Sequence, residues 1–234
     1  QRQMCIRDRH RNGGSVESGL SNKSLIESVD EGDLISLYWI ARIEDMNIRR
    51  DRDLVDWLSN QDYWFTTWGE WVTHQTSSLS ITVETNSNST TFTNPTLDIW
   101  NTPGTVMVYN IDQYFGLEWS DVQYDPLEKE DRILRAGHRE ESSGLLFLTI
   151  PPGESVTIYN AKPLTISHEP SIFNGLKNGV TIAGHHTTNM REWSQDFRDS
   201  PLRFTWLIER SLVPSPTLVL PLLSISILIA TPII

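Results

Sequence analysis

Apolar residues along this chain recur mostly at the two-residue period of strands, in short runs broken by Gly, Pro and Asn. Residues 34–40 form a dense β-branched and aromatic run, which predicts a buried strand. Residues 49–59 alternate in charge and then set Leu54, Val55 and Leu58 at helical spacing, which predicts a short helix. Beyond it strand signals dominate. Residues 63–68 and 71–74 flank Gly69 and Glu70 as the arms of a hairpin would, and residues 79–84 alternate strictly between apolar and polar. Residues 96–100 and 105–109 are separated by the turn Asn101-Thr102-Pro103-Gly104. Residues 145–150 and 155–159 are separated in the same way by Pro151-Pro152-Gly153-Glu154. Residues 163–167, 180–183 and 202–208 complete the series.

This texture predicts an all-β fold, a sandwich or jelly-roll-like domain of short antiparallel strands over residues 32–210. Residues 13–31 are Gly/Ser-rich and read as a linker with a short helix near residues 25–29. Residues 112–143 are acidic and less periodic. They form either a long excursion or a boundary between two smaller β units.

The tail changes the setting. Residues 211–234 contain no charged side chain, and residues 217–234 alone would span about 27 Å as a helix at about 1.5 Å per residue. A hydrocarbon core is about 30 Å thick, so this segment reads as a C-terminal transmembrane helix cut short at Ile234. Pro214 and Pro216 break the chain before it; Pro221 and Pro232 lie inside, where a membrane helix tolerates them. A buried pair of strands around residues 224–230 is the alternative. The layout resembles the C-terminal sorting signals of prokaryotic surface proteins, in which a Pro-containing motif precedes a membrane helix and a basic cluster. That resemblance implies a β domain outside the cytosol at the cell surface. A cleaved lipid-anchor signal implies the same location.

Charge and cysteine content narrow the partners. The chain carries 19 basic and 30 acidic residues, a net charge of −11. Residues 3–9 resemble translated sequencing-adapter read-through, so residues 1–12 are set aside from the fold. They hold four Arg, one Asp and the single cysteine, Cys5, which leaves 15 basic and 29 acidic residues and a charge of −14. An acidic chain without basic patches does not release counterions from phosphates, so nucleic acid is not a partner. Without cysteine there is no thiolate zinc site, blue-copper site or cysteine nucleophile. No cofactor is implied. Two Asn-x-Ser/Thr tripeptides begin at Asn22 and Asn88 and suit a surface location.

Four constellations carry candidate chemistry. His168, beside Glu169, and the adjacent His185 and His186, with Met190 close behind, are ligand types for zinc or copper. Residues 150–160 followed by His168 resemble a cupredoxin's approach to its first ligand, although the family's Cys–His–Met loop has no counterpart. Adjacent histidines on a strand point to opposite faces, so His185 and His186 share a metal only if a loop begins at Gly184. Second, residues 31–38 resemble the opening strand of FKBP-type prolyl isomerases, and residues 202–208 would be the closing strand. That resemblance implies a sheet wrapped on one helix. Third, the many carboxylates suffice in kind for a glycosidase pair, but runs such as residues 128–131 read as solvated faces. Fourth, five of the nine tryptophans lie between Trp39 and Trp71. On a strand Trp64 and Trp68 share one face while Tyr63 and Phe65 take the other, and a two-layer sandwich buries only one face. An exposed aromatic patch of Trp64, Trp68 and Trp71 is therefore expected to bind carbohydrate or protein. Together these readings describe a membrane-anchored, extracytoplasmic β-rich protein with a structural or binding role rather than an enzymatic one.

Overall fold

The computed structural model describes residues 12–39, 48–97, 102–111, 115–141, 143–159, 163–185 and 202–207. Strand exceeds helix, 39% to 22%, and antiparallel sheets are present, so the β-rich reading stands. The all-β reading does not hold for the whole chain, because the sheet nearest both ends is parallel and covered by helices.

That sheet begins with β1 (Gly14–Ser15), followed by a 3₁₀ segment (Val16–Asn22), α1 (Lys23–Glu27) and β2 (Ile35–Trp39). Helix α2 (Ile48–Ser59), strand β3 (Tyr63–Phe65) and helix α3 (Trp68–Ser80) come next. The chain then leaves and returns in β12 (Asn178–His185) and β13 (Phe204–Leu207). The order is β1-β2-β12-β13, with β3 also on β12, and every pairing is parallel. Parallel strands need crossovers, and covering helices bury both faces of the sheet. Ile35, Leu37, Trp39 and Phe65 face Val16, Ile26, Leu54, Val55 and Leu58 on one side. Trp64 packs on the other side with Trp71, Phe173 and Leu176. Burial of each such side chain contributes about 1.5–3 kcal/mol.

Three expectations change here. Residues 13–31 are not a linker: Val16 and Ile26 are core residues, and β1 pairs with β2. Even Asn12 belongs to the fold, since its amide donates to the Leu34 carbonyl (2.7 Å) and its Oδ1 accepts from Ser36 N–H (2.7 Å). The hairpin expected at Gly69-Glu70 is the first turn of α3. Thr67 Oγ1 accepts from Glu70 N–H (3.2 Å), and Glu70 Oε2 accepts from Thr67 N–H (2.9 Å), a reciprocal capping box that starts a helix. Trp71, His74, Ser77 and Ser78 then share its buried face at helical spacing.

Between α3 and β12 lies the sandwich. Its strands are β4 (Thr82–Thr85), β5 (Ser89–Thr93), β6 (Gly104–Tyr109), β7 (Gly116–Trp119), β8 (Gly137–Glu141), β9 (Leu145–Ile150), β10 (Ser155–Tyr159) and β11 (Thr165–Ser167). They form two antiparallel sheets, β4-β5-β10-β7 and β11-β6-β9-β8. Phe92, Trp119, Val156 and Ile158 of the first meet Val106, Val108, Leu146, Leu148 and Ile150 of the second. The turn expected at Pro151–Glu154 joins β9 to β10; the one expected over residues 101–104 begins outside the described residues, and Gly104 already belongs to β6. Of the strand expected over residues 96–100, Thr96 and Leu97 are irregular, and the rest lies outside the described residues.

The stretch between β7 and β8 is an excursion rather than a boundary. It reaches back to the parallel sheet, where Phe65 N–H donates to the Arg132 carbonyl (2.7 Å) and Arg132 Nη1 to the Tyr63 carbonyl (3.1 Å). Among the described residues no helix is long and apolar enough to cross a membrane; the tail, residues 211–234, lies outside them.

Candidate functional site

The inner face of β6 and β9 belongs to the sandwich core, so alternation sends their other residues outward. Met107 pairs with Phe147, and Tyr109 with Leu145, on that outer face. Ile172, from the segment that leads back to the parallel sheet, packs on the same patch. These five side chains wall a cleft of about 520 Å³ at the junction of the two units. Ligand sites of about 300–1,000 Å³ are typical, and such junctions are a common place for them. A smaller hollow, about 270 Å³, lies between α3 and Leu97 and falls short of that range.

The rim is charged. Glu31 pairs with Lys177, and Glu169 Oε1 accepts from the Ser167 hydroxyl (3.2 Å). Two carboxylates face one ammonium, so the mouth carries the negative sign of the whole chain.

The wall is held from beneath by groups that also serve the parallel sheet. Trp64 Nε1 donates to the Ser171 carbonyl (3.2 Å). His74 is fully buried, with Nδ1 2.7 Å from the Pro103 carbonyl and Nε2 3.0 Å from the Ile172 carbonyl. Burial pushes its pKa below the ordinary histidine range, against the two carbonyls, which act upward. Trp64 stacks on Trp71 (centroids 5.3 Å apart) and meets His74 edge-on (5.3 Å). Gly175, which lines the cleft, takes a φ of 81°, and Asn174 before it a positive φ of 51°. Arg139 Nε donates to Asn174 Oδ1 (2.7 Å) and its Nη2 to the Asn174 carbonyl (2.8 Å), while the guanidinium lies 4.8 Å from the Phe147 ring centroid. A methyl group at Gly175 would lie 2.5 Å from Arg139 Nη2, so this wall depends on glycine.

The residues expected from the sequence fall elsewhere. Trp64 and Trp71 are 0% and 7% exposed, and Trp68 donates its indole N–H to Ser36 Oγ (3.1 Å). They form no exposed patch, because α3 covers the second face of the sheet. Trp64 instead bonds the Ser171 carbonyl beneath the cleft, with Trp71 stacked on it. His168 Nδ1 lies 3.1 Å from the Ser78 carbonyl, turned to the backbone of α3. Only the backbone of His185 is described, in β12, and His186 and Met190 lie outside the described residues. Among the described residues no group of three or more His, Asp or Glu is placed to hold a metal ion. Residues 31–38 lead into β2, whose partners are parallel, and this differs from the sheet wrapped on one helix that the isomerase resemblance implies.

The cleft residues carry no local signal that sets them apart from core. Met107, Tyr109, Leu145 and Phe147 stand in the runs GTVMVY and LLFLTI, which carry apolar residues on both faces apart from Thr105 and Thr149 and so mark strands covered on both faces. His74 gave no signal, since its partners are backbone carbonyls. No protein-family model matches the chain, and neither a curated protein nor a solved structure matches it.

Proposed function

We propose that this chain is a binding module tethered to a membrane by its C-terminal segment, with the described part outside the cytosol. Its contact site is the cleft walled by Met107, Tyr109, Leu145, Phe147 and Ile172. One observation carries the reading: these apolar side chains stand on the outer face of a sheet, at a cleft whose size suits a small ligand. The charge-free run at residues 211–234 supports the tether. The apolar walls and the surplus carboxylate on the rim favour a ligand with an apolar body and a cationic group.

Met107 is the methionine in the cleft wall, so its methyl resonance reports occupancy. Small aromatic amines are titrated into protein labelled with methyl-¹³C methionine. The expected result is a saturable shift of the Met107 signal that is lost in Leu145→Arg. A Met107 signal that no amine moves overturns the reading.

A further inference from the structure

The two Asn-x-Ser/Thr tripeptides are equivalent in sequence and opposite in structure. Asn22 is buried, 9% exposed, and its amide donates to the Ser15 carbonyl where the 3₁₀ segment meets β1. A group attached to Asn22 Nδ2 would break that bond and push the 3₁₀ segment off the sheet. Asn88 lies at the tip of the β4–β5 hairpin, where residues 86–88 are all exposed. Thr85 and Thr90 form the last cross-strand pair before the tip, and Asn86 N–H donates to the Ser89 carbonyl (2.8 Å). A bulky group on Asn88 projects into solvent without disturbing either bond.

The surface beside this tip is unusual for its aromatic. The outer face of the β4-β5-β10-β7 sheet is hydroxylated, with Thr91 Oγ1 3.0 Å from Thr157 Oγ1 and Thr93 Oγ1 2.9 Å from Ser155 Oγ. Its one large ring among the described residues is Tyr159, 48% exposed and paired in register with Ser89, the residue after Asn88. Tyr159 OH donates to Glu118 Oε2 (2.8 Å), which holds the ring, and Gly116 opposite leaves it uncrowded. Exposed rings fixed in this way are platforms for the apolar faces of sugars.

We propose that Asn88 is an N-glycosylation site whose first sugar packs on Tyr159. In the transfer, Asn88 Nδ2 bonds to the anomeric carbon of an oligosaccharide carried on a lipid diphosphate. The carbon–oxygen bond to the diphosphate breaks, the lipid diphosphate leaves, and the amide gives up one proton. Thr90 Oγ1, the hydroxyl of the tripeptide, is buried in β5, so transfer occurs on the extended chain before that strand is laid down. The inference shares an extracytoplasmic location with the proposed function but does not depend on the cleft.

The test expresses the full chain through a secretory pathway that glycosylates Asn-x-Ser/Thr, and maps glycopeptides by mass spectrometry. In the folded, secreted fraction glycan on Asn88 and none on Asn22 is expected, because a chain modified at Asn22 loses the bond to Ser15 that seats the 3₁₀ segment. The shift in mass is lost in Asn88→Gln and kept in Asn22→Gln. Unmodified Asn88, or occupied Asn22 in folded protein, overturns the site. Glycosylated protein and protein treated with an N-glycosidase are then melted in parallel. A Tm gain from the glycan that disappears in Tyr159→Ala is expected; an equal gain in both removes the packing on Tyr159. The Met107 titration on unglycosylated protein stands or falls separately.

Discussion

His74 Nε2 stands 3.0 Å from the carbonyl oxygen of Ile172, so a fully buried imidazole on α3 reaches the wall of the cleft. Its other nitrogen faces the Pro103 carbonyl at 2.7 Å. A neutral imidazole has one N–H and satisfies one of the two oxygens; only the imidazolium satisfies both. Burial nevertheless disfavours the charge, and its effect exceeds that of the carbonyls.

The pH dependence of stability follows. With His74 held below its unfolded pKa of about 6.5, the unfolded chain takes up a proton that the folded chain resists. Stability is fully present above that value and is lost as pH falls from about 6.5 down through the folded pKa. His138 is lowered by burial too, with Glu140 acting against it, and contributes in the same direction. Urea midpoints measured between pH 8 and pH 5 should fall, and should fall less steeply in His74→Leu. An unchanged slope in that variant would show that His74 is not the group being protonated.

Gly179 of β12 lets Trp71 lie against the sheet: a methyl group there would meet Trp71 Cε3 and Cζ3 at 2.7 Å. Gly179→Ala should cost about 1–3 kcal/mol through overpacking. In a Trp71→Ala background the same change should cost much less, because the obstructing ring is gone. Unfolding free energies of the four proteins in the cycle measure this coupling.

Asn174 ties the excursion to the cleft, since its Nδ2 donates to the carbonyls of Glu128 (2.8 Å) and Asp131 (3.1 Å). Asn174→Gly keeps the positive φ and removes the side chain's hydrogen bonds. Stability should drop by about 1–3 kcal/mol for the groups left unpaired. The Phe65 amide, bonded to Arg132, should exchange its hydrogen faster. Unaltered exchange at Phe65 would mean that Asn174 does not hold the excursion in place.

The tail gives a fractionation experiment. The full chain should sediment with membranes and resist alkaline carbonate, whereas the same chain ending at Arg210 should stay in the supernatant. Equal partitioning of the two would remove residues 211–234 as a tether.

What the sequence disclosed depended on whether a signal was local. The turn at Pro151–Glu154, and strands such as Leu145–Ile150, were legible because Pro, Gly and β-branched residues act where they stand. The capping box of Thr67 and Glu70 was equally local but was overshadowed by the aromatics around it. The parallel sheet was legible only as a contradiction. Tyr63, Trp64 and Phe65 are apolar on both faces, which a sandwich strand does not require and a helix-covered strand does. The cleft was not legible at all. It arises where Ile172 meets Met107 and Phe147, and no spacing along the chain announces a contact of that kind.

The interruption of the parallel sheet also orders its folding. β12 is the strand on which β2, β3 and β13 all pair, yet it emerges after the entire sandwich. On a growing chain, β2 and β3 therefore exist with their shared partner not yet made, while every strand of the sandwich has its neighbours already in hand. Until β12 is made, β2 and β3 lack the strand they share, and unpaired strand edges of this kind favour aggregation. The segment from Ile172 to Gly179 closes that interval, laying down the cleft wall and the missing strand in one continuous stretch.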